Sequence, residues 1–286
     1  MLTFVSVRSQ PIRRAARAGT WYPGNPAALA ADLDAYCRDV PRRFPGDVSA
    51  IVAPHAGLVY SGPVAAYAYA PLAGRVYDAV VLVGPSHFVA FEGVAVVPRG
   101  AFDTPFGPIP IADDLAAALM AASPLVHERP SAHDREHSLE MHLPFIAHML
   151  PGVPIVPLVM GHQSPQTVAG LAEALGRVWG DRRLLLVASS DLSHYHDARR
   201  AAELDRVITD AIGTFDPDAL ARALASCPDH ACGGGPIGAV MRAARARGAR
   251  DARVLCYRDS GDVSGDKTAV VGYVAAAFGN FEAQDE

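Results

Sequence analysis

Four cysteines in 286 residues, none of them in a Cys-x-x-Cys pair, are too few and too scattered to staple a fold with disulfides. Long apolar runs are missing too: none reaches the ~18 residues that a membrane span needs. The apolar opening, residues 1–7, is too short for a signal-peptide core, and no small-residue cleavage site comes after it. These absences predict a reduced, cytoplasmic protein with no membrane partner. Excess positive charge is absent as well. Lys and Arg number 25 against 30 Asp and Glu, a formal net charge of -5, and nucleic-acid binding would want a basic patch or stripe. The one basic cluster, Arg13, Arg14 and Arg17, falls in residues 1–17, which read as an irregular leader, and is expected to be solvated. There is no internal repeat, no low-complexity segment and no flexible stretch to mark a boundary. One domain over residues 1–286 is the simplest reading.

What is present is an alternation of short apolar runs with Ala/Leu-rich amphipathic stretches, the pattern of an α/β fold with a sheet buried on both faces. Strands are expected at residues 48–53, 79–83, 94–97, 155–160, 184–188, 253–257 and 269–278. Helices are expected at 25–40, with Asn25 as N-cap and Pro26 in the first position, and at 113–122, 165–178, 201–212 and 237–247.

Three of these strands run into polar residues able to bind a metal. Residues 48–53 lead to His55, residues 79–83 to His87, and residues 184–188 to Asp191 and His194. Ligands of open α/β sheets bind beyond the carboxyl ends of the strands. A lone histidine is more often structural, but three at equivalent strand ends make a site. Cys232 precedes Gly233, Gly234 and Gly235 and the expected start of a helix, whose unpaired N–H groups would stabilise a thiolate. An inert cysteine beside a flexible turn fits the spacing equally well.

Residues 131–144 are dense in ionisable groups. They contain a His-x-x-Glu-His string, His133, Glu136 and His137, which in a helix is a zinc-protease signature. Pro144 limits any helix here, and no third ligand is evident. The competing readings are a solvated helix start capped by Ser131, and a pocket wall made by His137, Glu140 and His142. The segment from Asp259 to Asp266 lacks the ligand order of a calcium loop and reads as a turn held by aspartate side chains. Trp21 and Tyr22 are either core aromatics or the wall of a pocket.

Taken in order, these strings resemble the Memo-like family, also called AmmeMemoRadiSam system protein B. The resemblance is carried by Ala18-Gly19-Thr20-Trp21-Tyr22-Pro23, by residues 53–62 around His55, and by Gly84-Pro85-Ser86-His87. It continues through residues 136–145, Ser189-Ser190-Asp191-Leu192-Ser193-His194, Cys232-Gly233 with Pro236-Ile237-Gly238, and residues 260–266. It implies a three-layer α/β/α domain like that of class III extradiol dioxygenases. It also implies metal ligation by residues matching His55, His87 and Cys232, with Asp191 and His194 lining the same pocket and His194 in the place of an acid/base histidine. The chain departs from the usual pattern at Gly234 and Gly235, where bulkier polar residues are common, and at Phe88.

Two histidines and a thiolate are not the two-histidine, one-carboxylate set of non-haem iron oxygenases, and the softer sulfur admits iron, copper or zinc. Fold alone does not establish oxygenase activity. The leading expectation is an iron- or copper-dependent redox enzyme acting on a small molecule with O2. His194, steered by Asp191, would move protons, and Tyr60, Trp21, His137, Glu140 and His142 would face the substrate or support the ligands. The alternative is a non-catalytic protein that uses the same pocket for a metal or a partner. The family name implies radical-SAM and AMMECR-type proteins as partners.

Overall fold

Apolar runs without alternation demand burial on both faces of a sheet, and here they obtain it. The structure is a computed structural model, and it describes residues 11–41 and 46–282. The apolar opening and most of the expected leader therefore lie outside the described residues. In chain order the strands are β1 (Ile12–Arg13), β2 (Gly46–Ala53), β3 (Ala79–Pro85), β4 (Val94–Val96), β5 (Ala101–Phe102), β6 (Ile109–Pro110), β7 (Val126–Glu128), β8 (Ile155–Met160), β9 (Leu184–Ser189), β10 (His194–His196), β11 (Asp251–Asp259) and β12 (Val270–Phe281). The helices are α1 (Pro26–Cys37), α2 (Leu58–Tyr69), α3 (Asp113–Ala122), α4 (Leu143–Met149), α5 (Pro165–Trp179), α6 (Ala198–Gly213), α7 (Pro217–Ser226), α8 (Gly234–Ala246) and the short α9 (Gly261–Ser264).

The main sheet runs in the order β10-β12-β2-β9-β3-β8-β4-β7, with β11 also paired to β12. Its centre, β2, β9, β3 and β8, is parallel, while β12 and β4 flank it antiparallel. Every residue of β3, β8 and β9 is buried. Helices α1, α2 and α4 pack together over one side, and α8, between α5 and α7, covers the other. The result is the three-layer α/β/α arrangement expected from sequence. A small second sheet, β1-β5-β6, ties the N-terminal segment to the body, with Ile12 opposite Ala101 and Arg13 opposite Phe102.

Helix starts follow local chemistry. The Asn25 side chain accepts the N–H groups of Ala27 and Ala28, and Pro26 fills the first position, where no donor is needed. Helix α2 is not among the elements expected from sequence, because Gly57, Gly62 and Pro63 punctuate it; the tertiary packing overrides them. Helix α7 is also absent from those expectations, although Asp216 caps it and Pro217 opens it in the usual way. Helix α8 begins at Gly234, three residues earlier than the sequence suggests. A Cβ on Gly234 would meet the Leu224 side chain and one on Gly235 the Gln163 side chain, so close packing rather than flexibility explains these glycines.

Two expectations need correction. Arg13 is not solvated: its side chain is 7% exposed and ion-paired to the fully buried Glu140. Residues 131–144 form neither a continuous zinc-binding helix nor a solvated helix start. They run as a short 3-10 turn, Pro130–Ala132, then irregular chain, then a second turn, Glu140–His142. His133, Glu136, Glu140 and His142 are all buried. The turn after β11 does hold itself with aspartates: Asp259 accepts from Gly261 N–H and Lys267, and Asp262 accepts from Asp259 N–H.

Candidate functional site

Strands β2, β9 and β3 are neighbours in the sheet and end side by side, with Ala53 opposite Ser189 and Val83 opposite Ala188. The segments leaving these strands therefore converge. The chain after β2 delivers His55, the chain after β3 delivers His87, and the chain after β9 delivers Asp191. A fourth segment, residues 136–139, crosses close beneath β3 because Gly84 has no side chain: a Cβ there would lie 2.7 Å from Ser138 Oγ. That crossing brings His137 into the group. Ligand atoms of His55, His87 and His137 all lie within 4.8 Å of one another.

Each of the first two histidines is turned by a partner. His55 Nδ1 is 2.6 Å from Ser189 Oγ, and that hydroxyl donates to the Ser138 carbonyl at 2.6 Å. With its one proton committed, Ser189 can only accept from His55, so the imidazole carries its proton on Nδ1 and its lone pair on Nε2. His87 Nδ1 is 2.8 Å from Glu136 Oε1, and Glu136 Oε2 accepts the His87 backbone N–H at 2.6 Å. Glu136 also accepts the N–H groups of His137 and Ser138. Burial alone would raise the Glu136 pKa, but its bonds to His87 and the backbone outweigh burial and hold it at about 2. The carboxylate is ionised and can only accept, so His87 donates from Nδ1, and Nε2 is the ring nitrogen left outside that bond.

His137 stacks on His87, with ring centres 4.4 Å apart, and tilts against Trp21 at 4.7 Å. Its buried Nδ1 has no hydrogen-bond partner, although Glu136 Oε1 is 3.5 Å away. Burial first, then the neighbouring His87, pull the His137 pKa down to about 4. Burial likewise drives His55 well below the ordinary histidine value, helped by the charges of His87 and His137. At neutral pH these rings are unprotonated, the state in which imidazole binds metal.

Cys232 lies just before α8 with its sulfur 3.3 Å from His55 Nε2, and it accepts the Asp191 N–H at 3.3 Å. The expectation of a helix-stabilised thiolate is not met by the protein alone. Burial, then the Asp191 carboxylate, push the Cys232 thiol well above its usual range. A cation is what would offset both effects. Asp191 accepts the His55 backbone N–H at 2.8 Å, and burial raises its pKa. His194, half-buried at the start of β10, is near enough for its charge to act on both Asp191 and His55. No hydrogen bond joins it to Asp191 among the described residues.

The remaining expected site residues separate into mouth and foundation. Trp21 packs against His137, and Tyr60, in the first turn of α2, is 40% exposed. Glu140 and His142 are fully buried. Glu140 receives Arg13, the N–H groups of Ala16 and Arg17, and the Tyr22 hydroxyl, so it anchors the whole segment that carries Trp21. The Tyr69 hydroxyl lies 2.9 Å from His142 Nδ1, and burial lowers this histidine to about 3. Sequence reasoning assigns no role to Ser189 or Arg13, and it places Glu136 in a metal motif instead of behind His87. Only the density of ionisable residues in 131–144 hinted at such work.

A parallel α/β sheet with an imidazole cluster and a thiol at its strand ends defines the class. Comparison with known proteins defines the family: residues 13–277 match the model of the Memo-like protein, and the chain belongs to that family. A MEMO1 family protein of Methanothermobacter thermautotrophicus is 35% identical over 273 residues, covering 92% of this chain and 98% of that one. Another, from Thermotoga maritima, is 34% identical over 277 residues, with the same coverage. Among solved structures, an uncharacterized protein of Escherichia coli K12, JW3007, superposes with a TM-score of 0.56 at 18% identity. It covers 82% of this chain and all of that one, which shows a shared fold. No helix among the described residues is long and apolar enough to cross a membrane.

Proposed function

We propose that the protein is a transition-metal redox enzyme whose metal, iron or copper, is held by His55, His87 and Cys232. The observation that carries this reading is the orientation of the two histidines. Ser189 and Glu136 each accept an Nδ1 proton, so Nε2 of each ring is the nitrogen presented to a cation. Metal-ligating histidines are held this way, often by a carboxylate. The donor set fits a metal: two imidazoles, a thiol that a cation would deprotonate, and an orphaned His137 nitrogen beside them. When bound, iron or copper supplies one-electron redox chemistry and a polarising charge.

The protein's own residues divide the other tasks. Asp191 fixes the backbone of His55 and its charge faces Cys232. His194, half-buried, exchanges protons between the pocket and water. Trp21 and Tyr60 give the substrate an aromatic wall. A non-catalytic metal- or partner-binding protein is the second reading, and one observation favours it. Tyr195, next to His194, is 78% exposed in a left-handed conformation, φ 63°, which suits a residue offered to a partner. Turnover of O2 with a reductant in the metal-loaded state decides for the enzyme, and its absence over a broad substrate panel decides for the binding protein.

The metal site itself is tested by elemental mass spectrometry of anaerobically purified wild type, Cys232→Ala and His137→Ala. Near-stoichiometric iron or copper in wild type, falling sharply in Cys232→Ala but not in His137→Ala, is expected. The opposite pattern would transfer the third ligand to His137. No transition metal in any of them after reconstitution would sink the reading.

A further inference from the structure

One cation beside the imidazole cluster has no counter-charge among the described residues. The Arg17 guanidinium carbon lies 4.8 Å from the Trp21 ring centre and 5.7 Å from that of Phe88. Both rings pack on His137, at 4.7 and 5.8 Å. Arg17 is thus one ring away from the candidate ligands, and close enough for its charge to act on His137. Its Nε is buried without a hydrogen-bond partner, and its side chain forms no ion pair among the described residues. Arg13, four residues earlier, shows the contrast. It is satisfied by Glu140 and by the carbonyls of His133 and Glu136. Glu140 cannot serve both arginines, since its oxygens are already occupied by Arg13, two backbone N–H groups and Tyr22.

Leaving arginine donors unpaired in a partly buried place costs free energy unless a ligand completes them. The planar guanidinium fork matches a carboxylate, two N–H groups to two oxygens. Arg17 is also held ready, because Glu140 fixes its backbone N–H at 2.7 Å and two aromatic rings lie against its head. A second guanidinium, Arg135, lies 5.0 Å from the Phe88 ring centre, so two cations stand beside this ring although the chain as a whole is negative. The rest of the rim is aromatic: Phe88 is 42% and Tyr60 40% exposed.

We infer that Arg17 receives the carboxylate of the substrate, so that the site takes small, flat organic anions. The inference rests on the metal-centre reading only in calling that ligand a substrate; the anion site itself stands on Arg17. The test uses benzoate and benzamide, which share a shape and differ in charge, with Trp21 fluorescence as the reporter. The other tryptophan, Trp179, is 5% exposed and far less open to a ligand. Binding is measured on the full chain with and without reconstituted metal, so that a metal cannot be the only group receiving the carboxylate.

Wild type should bind benzoate about tenfold or more tighter than benzamide in both states. Arg17→Gln should lose that preference and Arg17→Lys should keep part of it, with metal content equal to wild type in each. Equal binding of the two probes by wild type overturns the inference, as does an undiminished preference in Arg17→Gln. Failure of every protein to take up metal, with the preference still following Arg17, would instead overturn the metal reading and leave the anion site in place.

Discussion

His55 and His87 stand at equivalent positions, one residue past Pro54 and one past Ser86 at the ends of parallel strands, yet they are held by different chemistry. His55 leans on a neutral hydroxyl, itself committed to a carbonyl. His87 leans on an ionised carboxylate that also gathers three backbone N–H groups. A carboxylate partner makes the imidazole a stronger donor to a cation; a hydroxyl mainly fixes its tautomer and angle. The two ligands are therefore unequal, and the stronger one is also the more exposed.

That inequality is most exposed to attack at Glu136. Glu136→Gln keeps the shape but removes the charge. It should weaken metal binding by about 100-fold, the upper end for such supporting residues, and lower the thermal midpoint, because several N–H groups lose a charged acceptor. Metal competition titrations and thermal unfolding read both effects. Ser189→Ala should cost less, about tenfold in metal affinity, since His55 keeps its burial and its backbone bond to Asp191. If Ser189→Ala proves the more damaging, the ranking of the two histidines is reversed.

The smallest effect expected is on pH, and it separates the buried histidines from Glu136. His137 and His133 titrate near 4 and His142 near 3 when folded, against an ordinary 6.5. Above pH 6.5 they bind no proton folded or unfolded and contribute nothing. As pH falls below 6.5 the unfolded chain gains protons that the folded one refuses, so stability drops, and the drop is complete only below the folded values. Glu136, at about 2 against 4.5, holds its stabilisation until the pH falls below 4.5. The urea midpoint of metal-free protein should therefore decline between about pH 6.5 and 5. Replacing Glu136 with Gln should not change the slope of that decline. A flat profile in this window would show that the buried histidines are open to water.

Much of this was legible from the residues. The strand runs were visible because parallel strands are apolar on both faces, and the histidines were visible because the chain leaves each strand directly into them. Their supports were not, because they are remote in sequence. Ser189 reaches His55 across 134 residues and Glu136 reaches His87 across 49. Nothing in the local pattern of either tells a hydroxyl or a carboxylate where to point. The same is true of Arg13, whose neighbours Arg14 and Arg17 make it look like surface until the partner at Glu140 is seen. Helices α2 and α7 escape sequence reasoning for a different reason. Proline and glycine read as interruptions, whereas in α7 the proline opens the helix, and in α2 packing carries the chain through it.

The grip of Glu140 on residues 13–22 also has a history in the life of the chain. Arg13 leaves the ribosome well before its carboxylate partner, which comes 127 positions later. At typical rates of synthesis, about 5–20 residues per second, that separation is several seconds of waiting. During that interval the Trp21 segment has no floor to rest on. Glu140 in turn leaves before β8, β9 and β12, so both ends of the clamp exist before the central sheet is complete, although long-range closures of this kind are slow to form. The N-terminal clamp and the sheet are thus separate closures, and the sheet waits longer for its last strand, β12, than Arg13 waits for Glu140.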